Sequence, residues 1–203
     1  MKICVAGWYF RAQWLRDLSL SGHEVFVVKH REGETQGLPS KLYPNLGLEF
    51  GAYRMYVENH WDGDSSVFFC HDDVEISDMI GFRDLEALEG SGVDHCYVFH
   101  DEYDEFINGG AHGRGMWIRG PILRKLREDF PADMENQGEN IGKVAQNGIF
   151  AFHKRIIECG ANTGVIAIVP QFRFAHRGRL HDRMFLYRKT HSAVPGGLVN
   201  VSE

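Results

Sequence analysis

At 203 residues and 43% hydrophobic content, the chain is long enough to close one sizeable core and reads as a single domain. Its formal charge of −6, from 28 acidic against 22 basic residues, argues against a broad electrostatic footprint for nucleic acid. No stretch approaches the roughly 18 uninterrupted apolar residues of a membrane helix. The short apolar start, soon followed by Arg11, reads as a strand rather than a signal peptide, so a soluble, cytoplasmic protein is expected. Cys4, Cys70, Cys96 and Cys159 lie far apart without Cys-x-x-Cys spacing, and three of them sit in apolar strand-like runs as core thiols do, which argues against a disulfide framework or zinc knuckle.

In chain order, residues 3–6 read as a first strand ended by Gly7. Residues 11–21 place Trp14, Leu15 and Leu18 on one helical face, with Gly22 as terminator. A second buried strand spans 25–28, followed by a charged, Gly-containing loop over 31–38. Asn45 is a candidate N-cap, and Leu46, Phe50, Tyr53 and Val57 then fall at helical spacing. A third strand covers 67–70, a helix 79–88 and a fourth strand 96–99. The Gly-rich stretch 108–115 leads into Met116-Trp117-Ile118-Arg119, and Pro121 opens another helix as an N1 residue does. A helical segment at 141–151 and a strand at 165–169 complete the series. This alternation predicts an α/β fold with a mainly parallel sheet and helices on both faces.

Chemistry concentrates at the end of the third strand, in His71-Asp72-Asp73. Ligands of open α/β sheets sit just beyond the carboxyl ends of strands. Two adjacent carboxylates there repel each other, and a divalent cation is the cheapest compensation. Two familiar nucleotide motifs are absent: Gly7 is not followed by a Gly-x-Gly-x-x-Gly turn, and residues 138–144 fall one residue short of a P-loop and carry Val144 instead of Ser or Thr. Trp8, Tyr9 and Phe10 directly follow the first strand, and alternation of side chains requires at least one of them to be accessible to a base. Asn45-Leu46-Gly47 offers a helix start to an anion, with Arg54 two turns on. Between 173 and 189 the chain gathers Arg173, Arg177, Arg179, Arg183, Arg188 and Lys189 with His176 and His181, a local basic region able to face phosphates.

The strand followed by His-Asp-Asp resembles the strand-plus-DXD element of the GT-A glycosyltransferases, with His71 in place of the first acid. The order of Asn-x-Gly, Arg-bearing helix and acidic strand over 45–76 is similar too, and the resemblance extends over about residues 2–188. It implies one GT-A-like domain over 1–203, with a nucleotide-binding half at about 1–76 and an acceptor-side half at about 77–190. It also implies a transferase that moves a sugar from a nucleotide-diphosphate donor with Mn²⁺ or Mg²⁺. Asp73 and Asp72, with His71 or His176, would hold the metal, and Trp8, Tyr9, Asn45, Arg54 and Asp72 would line the donor site. His112, Arg114 and Trp117 would meet the acceptor, and one of Asp133, Glu135 and Glu139 would act as base if the reaction inverts. The acceptor itself is open among glycan, protein, lipid and modified DNA base.

Two alternatives come from other classes. One is an Fe(II)- and 2-oxoglutarate-dependent oxygenase, with His71-x-Asp73 and His176 as its facial triad and Arg188-Lys189-Thr190 binding the co-substrate. That chemistry is built on a double-stranded β-helix of many short strands. The other is a sugar-nucleotide-binding protein that kept the fold and lost turnover.

Overall fold

A computed structural model describes residues 1–72, 74–76, 85–97, 115–132, 134, 148, 151–152, 154–166, 172–176, 179–182, 188–191 and 198–201. Its first half alternates β1 (Lys2–Gly7), α1 (Ala12–Ser19), β2 (Glu24–Lys29), β3 (Ser40–Leu42), α2 (Leu48–Asn59) and β4 (Val67–His71). There follow β5 (Val74–Ile76), β6 (His95–Tyr97), β7 (Gly115–Ile118), α3 (Gly120–Leu126) and β8 (Thr163–Ile166). Four further strands are β9 (Phe172–His176), β10 (Arg179–Asp182), β11 (Arg188–His191) and β12 (Leu198–Val201).

The main sheet runs β12-β11-β8-β6-β7-β4-β1-β2-β3, and β10-β9-β5 form a second, smaller one. The main sheet is mixed. Its first half is parallel, as expected, with β1 between β2 and β4. β7 then enters antiparallel to both β4 and β6. A double-stranded β-helix is not this architecture, which removes the scaffold of the oxygenase alternative.

Strand side chains sort by the two-residue period onto two cores. Cys4, Ala6, Val28, Val67, Phe69, Met116 and Ile118 face one core, which α2 and α3 cover with Phe50, Tyr53, Tyr56, Val57, Ile122, Leu123 and Leu126. Ile3, Val5, Val25, Val27, Phe68, Cys70 and Trp117 face the other, which α1 covers with Trp14, Leu15 and Leu18. Strands buried on both faces have no polar side to alternate with, which is why 3–6, 25–28 and 67–70 read as continuous apolar runs. Each large side chain so buried contributes about 1.5–3 kcal/mol.

Asn45 is not the N-cap of α2. That position belongs to Gly47, whose φ of +69° is left-handed and favours glycine. The helix therefore starts at Leu48, and the Leu46 carbonyl lies so close to Gly51 that a Cβ there would sit 1.6 Å from its oxygen.

In the second half, residues 85–87 are helical and pass into a 3-10 turn at Leu88–Gly90, while the earlier part of the expected 79–88 helix lies outside the described residues. Helical residues at 148, 151–152 and 154–158 show the next helix continuing past its expected end. The strand expected at 165–169 begins earlier, at Thr163.

Candidate functional site

The parallel register brings the ends of β1, β2 and β4 to one edge. Gly7 pairs with Lys29 and Ala6 with His71, so the turn 8–10, His30-Arg31 and His71-Asp72 are neighbours. The start of α2 closes the same edge: His30 Nε2 donates to the Leu48 carbonyl at 3.0 Å.

Asp72 is the centre of this arrangement. It is 1% exposed, its backbone N–H donates to the Ala6 carbonyl, and its Oδ2 accepts the backbone N–H groups of Trp8, Tyr9 and Phe10 at 2.8, 2.7 and 2.5 Å. Three successive N–H groups converging on one anion form a backbone nest. The turn achieves this with Phe10 at a φ of +54°, a left-handed conformation rare for a bulky residue. The Phe10 ring fits because residue 33 has no side chain; a Cβ on Gly33 would lie 2.1 Å from that ring.

The nest raises Trp8 and Tyr9 to the surface, 40% and 42% exposed. Both are accessible, where alternation required at least one. The Arg31 guanidinium lies 5.2 Å from the Trp8 ring centre and 5.9 Å from that of Phe10. Arg31 and Gly33 belong to this edge and were not among the residues expected there. Arg31 had a legible signal: it stands just past β2, and in a parallel pair that is beside the residues just past β1.

His71 ends β4 on the α2 side, its ring centre 6.4 Å from that of Tyr53. Asp72 faces the turn, so the two adjacent donors diverge as strand neighbours do. One oxygen of Asp72, Oδ2, is taken by the nest. Among the described residues, no group of three or more His, Cys, Asp or Glu side chains is poised to hold a metal ion. Asp73 lies outside the described residues. His176 is placed by backbone alone: it ends β9, which pairs antiparallel with β5, Val74 opposite Phe174.

The remaining expected residues divide three ways. Asn45 lies in the loop just ahead of α2, its Oδ1 buried without a hydrogen-bond partner among the described residues. Arg54 Nε donates to Glu58 Oε1 at 2.7 Å, which ties the side chain along α2, away from the helix start. Trp117 does not meet an acceptor: it is fully buried in β7, opposite Phe68 and Cys96. An aromatic after a glycine-rich stretch looks like a loop platform in sequence, whereas here it fills the core under α1. His112, Arg114, Asp133, Glu135 and Glu139 lie outside the described residues.

No family profile and no curated protein sequence matches the chain. Its likeness to solved structures is clear. The catalytic domain of Drosophila beta1,4-galactosyltransferase 7, in complex with xylobiose, superposes with a TM-score of 0.54 at 12% identity, over 91% of this chain and 76% of that one. This chain has the GT-A fold. A mutant of the same galactosyltransferase in complex with manganese, UDP-Gal and xylobiose gives the same TM-score of 0.54, at 12% identity and with the same 91% and 76% coverage. Among the described residues, no helix of this GT-A-fold chain is long and apolar enough to cross a membrane.

Proposed function

We propose that the protein is a metal-dependent glycosyltransferase that takes a sugar from a nucleotide-diphosphate donor. One observation carries the reading: on a GT-A fold, the exposed aromatic turn 8–9 and His71-Asp72 share the carboxyl edge of the parallel strands. Ligands of open α/β sheets bind at that edge.

The donor set suits Mn²⁺ or Mg²⁺, being carboxylate oxygen with imidazole and no thiolate. With Asp72 engaged by the turn, Asp73 is the direct ligand, completed by His71 and by His176 from β9. A bound divalent ion supplies charge neutralisation for the departing diphosphate. The chain's own groups do the rest. Trp8 or Tyr9 stacks the base, and one of Asp133, Glu135 and Glu139 takes the acceptor proton if configuration inverts. His112 and Arg114, on the glycine-rich stretch, contact the acceptor. Arg54, held by Glu58, is left out of this site.

A thermal-shift screen of sugar nucleotides with and without Mn²⁺ tests the donor, because a ligand that binds the native state raises the melting temperature. Stabilisation by one donor that depends on Mn²⁺ and vanishes in Asp73→Asn is the expected result. No stabilisation by any donor would remove the reading. His71 in place of the first acid favours, as second reading, a protein that binds sugar nucleotides without turnover. Hydrolysis of the stabilising donor in Mn²⁺ excludes that reading.

A further inference from the structure

Asp72 commits one of its two oxygens to backbone. Its Oδ2 accepts three backbone N–H groups from a turn 62 to 64 residues away in sequence. That turn adopts a left-handed Phe10, and Phe10 in turn uses the space left by Gly33. Such a conformation costs free energy and persists only where its surroundings over-determine it. The outcome of the arrangement is an exposed indole with a guanidinium over it, at the edge where the donor is proposed to bind.

We infer that Asp72 is a positioning residue that acts through the backbone of the 8–10 turn, and that the Trp8 indole it presents, with Arg31 above, is the stacking platform for the donor's nucleobase. The inference rests on the transferase reading for its ligand, but not for the positioning role. An ionised carboxylate suits the task because its hydrogen bonds to N–H groups are about twice as strong as those of a neutral acceptor. Both of its ends are acceptors, whereas an amide in the same place has one acceptor end and one donor end and carries no charge. Trp8 and Arg31 suit a base because a flat π-face and a planar cation both stack without demanding a particular hydrogen-bond pattern. Arg31 is exposed and joined to no strand, so it can swing to sandwich the base or to meet the phosphate beside it.

The four tryptophans make the positioning role readable without any ligand. Trp8 is 40% exposed, while Trp14, Trp61 and Trp117 are 0%, 5% and 0% exposed. Acrylamide quenching therefore reports mainly on Trp8, and Trp8→Phe assigns its share. Asp72→Asn should change the quenching of Trp8 in the apo protein. It should also weaken UMP binding, measured by calorimetry without metal, by about tenfold, the scale of one base–aromatic stacking contact. Trp8→Ala and Arg31→Ala change only surface side chains. Each should weaken UMP severalfold with little change in melting temperature, and these two variants carry the test if Asp72→Asn fails to fold.

Wild-type binding of UMP that neither Trp8→Ala nor Arg31→Ala weakens overturns the platform. Unaltered Trp8 quenching and UMP affinity in Asp72→Asn, with loss of Mn²⁺ affinity in the presence of UDP, overturns the positioning role and returns Asp72 to the metal. A wild-type protein that binds neither UMP alone nor UDP with Mn²⁺ instead defeats the transferase reading and the platform's ligand together. In that case a quenching change in Asp72→Asn would still stand as evidence for the turn's anchor.

Discussion

Two carboxylates on opposite edges of the sheet do related work with different consequences. Asp62, at the amino edge, accepts the N–H groups of Asp64 and Ser65 and the Ser65 hydroxyl, and stands 3.3 Å from the Lys2 ammonium. Its side chain is 38% exposed, and its partners lie within its own turn or at the chain's start. Asp72, at the carboxyl edge, is 1% exposed and binds a turn far away in sequence. The first acid shapes a loop that water also solvates. The second joins β4 to the exit of β1, and what it shapes is an exposed aromatic pair rather than a loop of small residues. Where a carboxylate's hydrogen bonds lead matters more than how many it makes.

The largest effect is expected from cutting the buried anchor. Asp72→Ala leaves three N–H groups without the buried carboxylate that they share, and should cost about 2–4 kcal/mol of stability by urea denaturation. A loss as small as that of an exposed acid would break the contrast between the two edges.

Gly33→Ala tests the same turn from its far side. A Cβ 2.1 Å from the Phe10 ring forces the ring or the loop to move, with an expected cost of about 1–3 kcal/mol. Because Phe10 supplies one of the three N–H groups, the variant should also alter Trp8 fluorescence. Unchanged fluorescence alongside the stability loss would show that the 8–10 turn does not depend on the Phe10 packing.

Asp62 should give the smallest change, and one that depends on pH. Burial alone would raise its pKa, but the N–H groups of Asp64 and Ser65, the Ser65 hydroxyl and Lys2 together hold it well below the usual carboxylate range. A carboxyl depressed in the folded state stabilises above its unfolded pKa of about 3.9, and that stabilisation is lost as pH falls toward the folded value. Asp62→Asn should therefore cost under about 1 kcal/mol at neutral pH, given its exposure, and should flatten the stability curve below about pH 4. Melting curves across pH 2–7 check this. A pH profile identical to wild type would mean that the Asp62 carboxylate contributes nothing to acid stability.

Local pattern was enough for much of the first half. Uninterrupted apolar runs announced β1, β2 and β4, because strands covered on both faces have no polar side. The helical spacing of Trp14, Leu15 and Leu18, and of Phe50, Tyr53 and Val57, announced the buried faces of α1 and α2; Leu46, which shares the spacing, instead lies ahead of α2 and is half-buried. The sequence also pointed to the turn after β1 as accessible, from the geometry of a strand's exit alone, and Trp8 and Tyr9 are exposed. What it could not settle was pairing. Periodicity records which way a side chain faces, not which strand lies beside it, so β7 read as a loop and Trp117 as a platform until its neighbours proved to be β4 and β6. The same limit hid the partners of Asp72. Its oxygen is claimed by N–H groups that carry no side-chain signature, from a turn over 60 residues away, and only the closed sheet brings the two together.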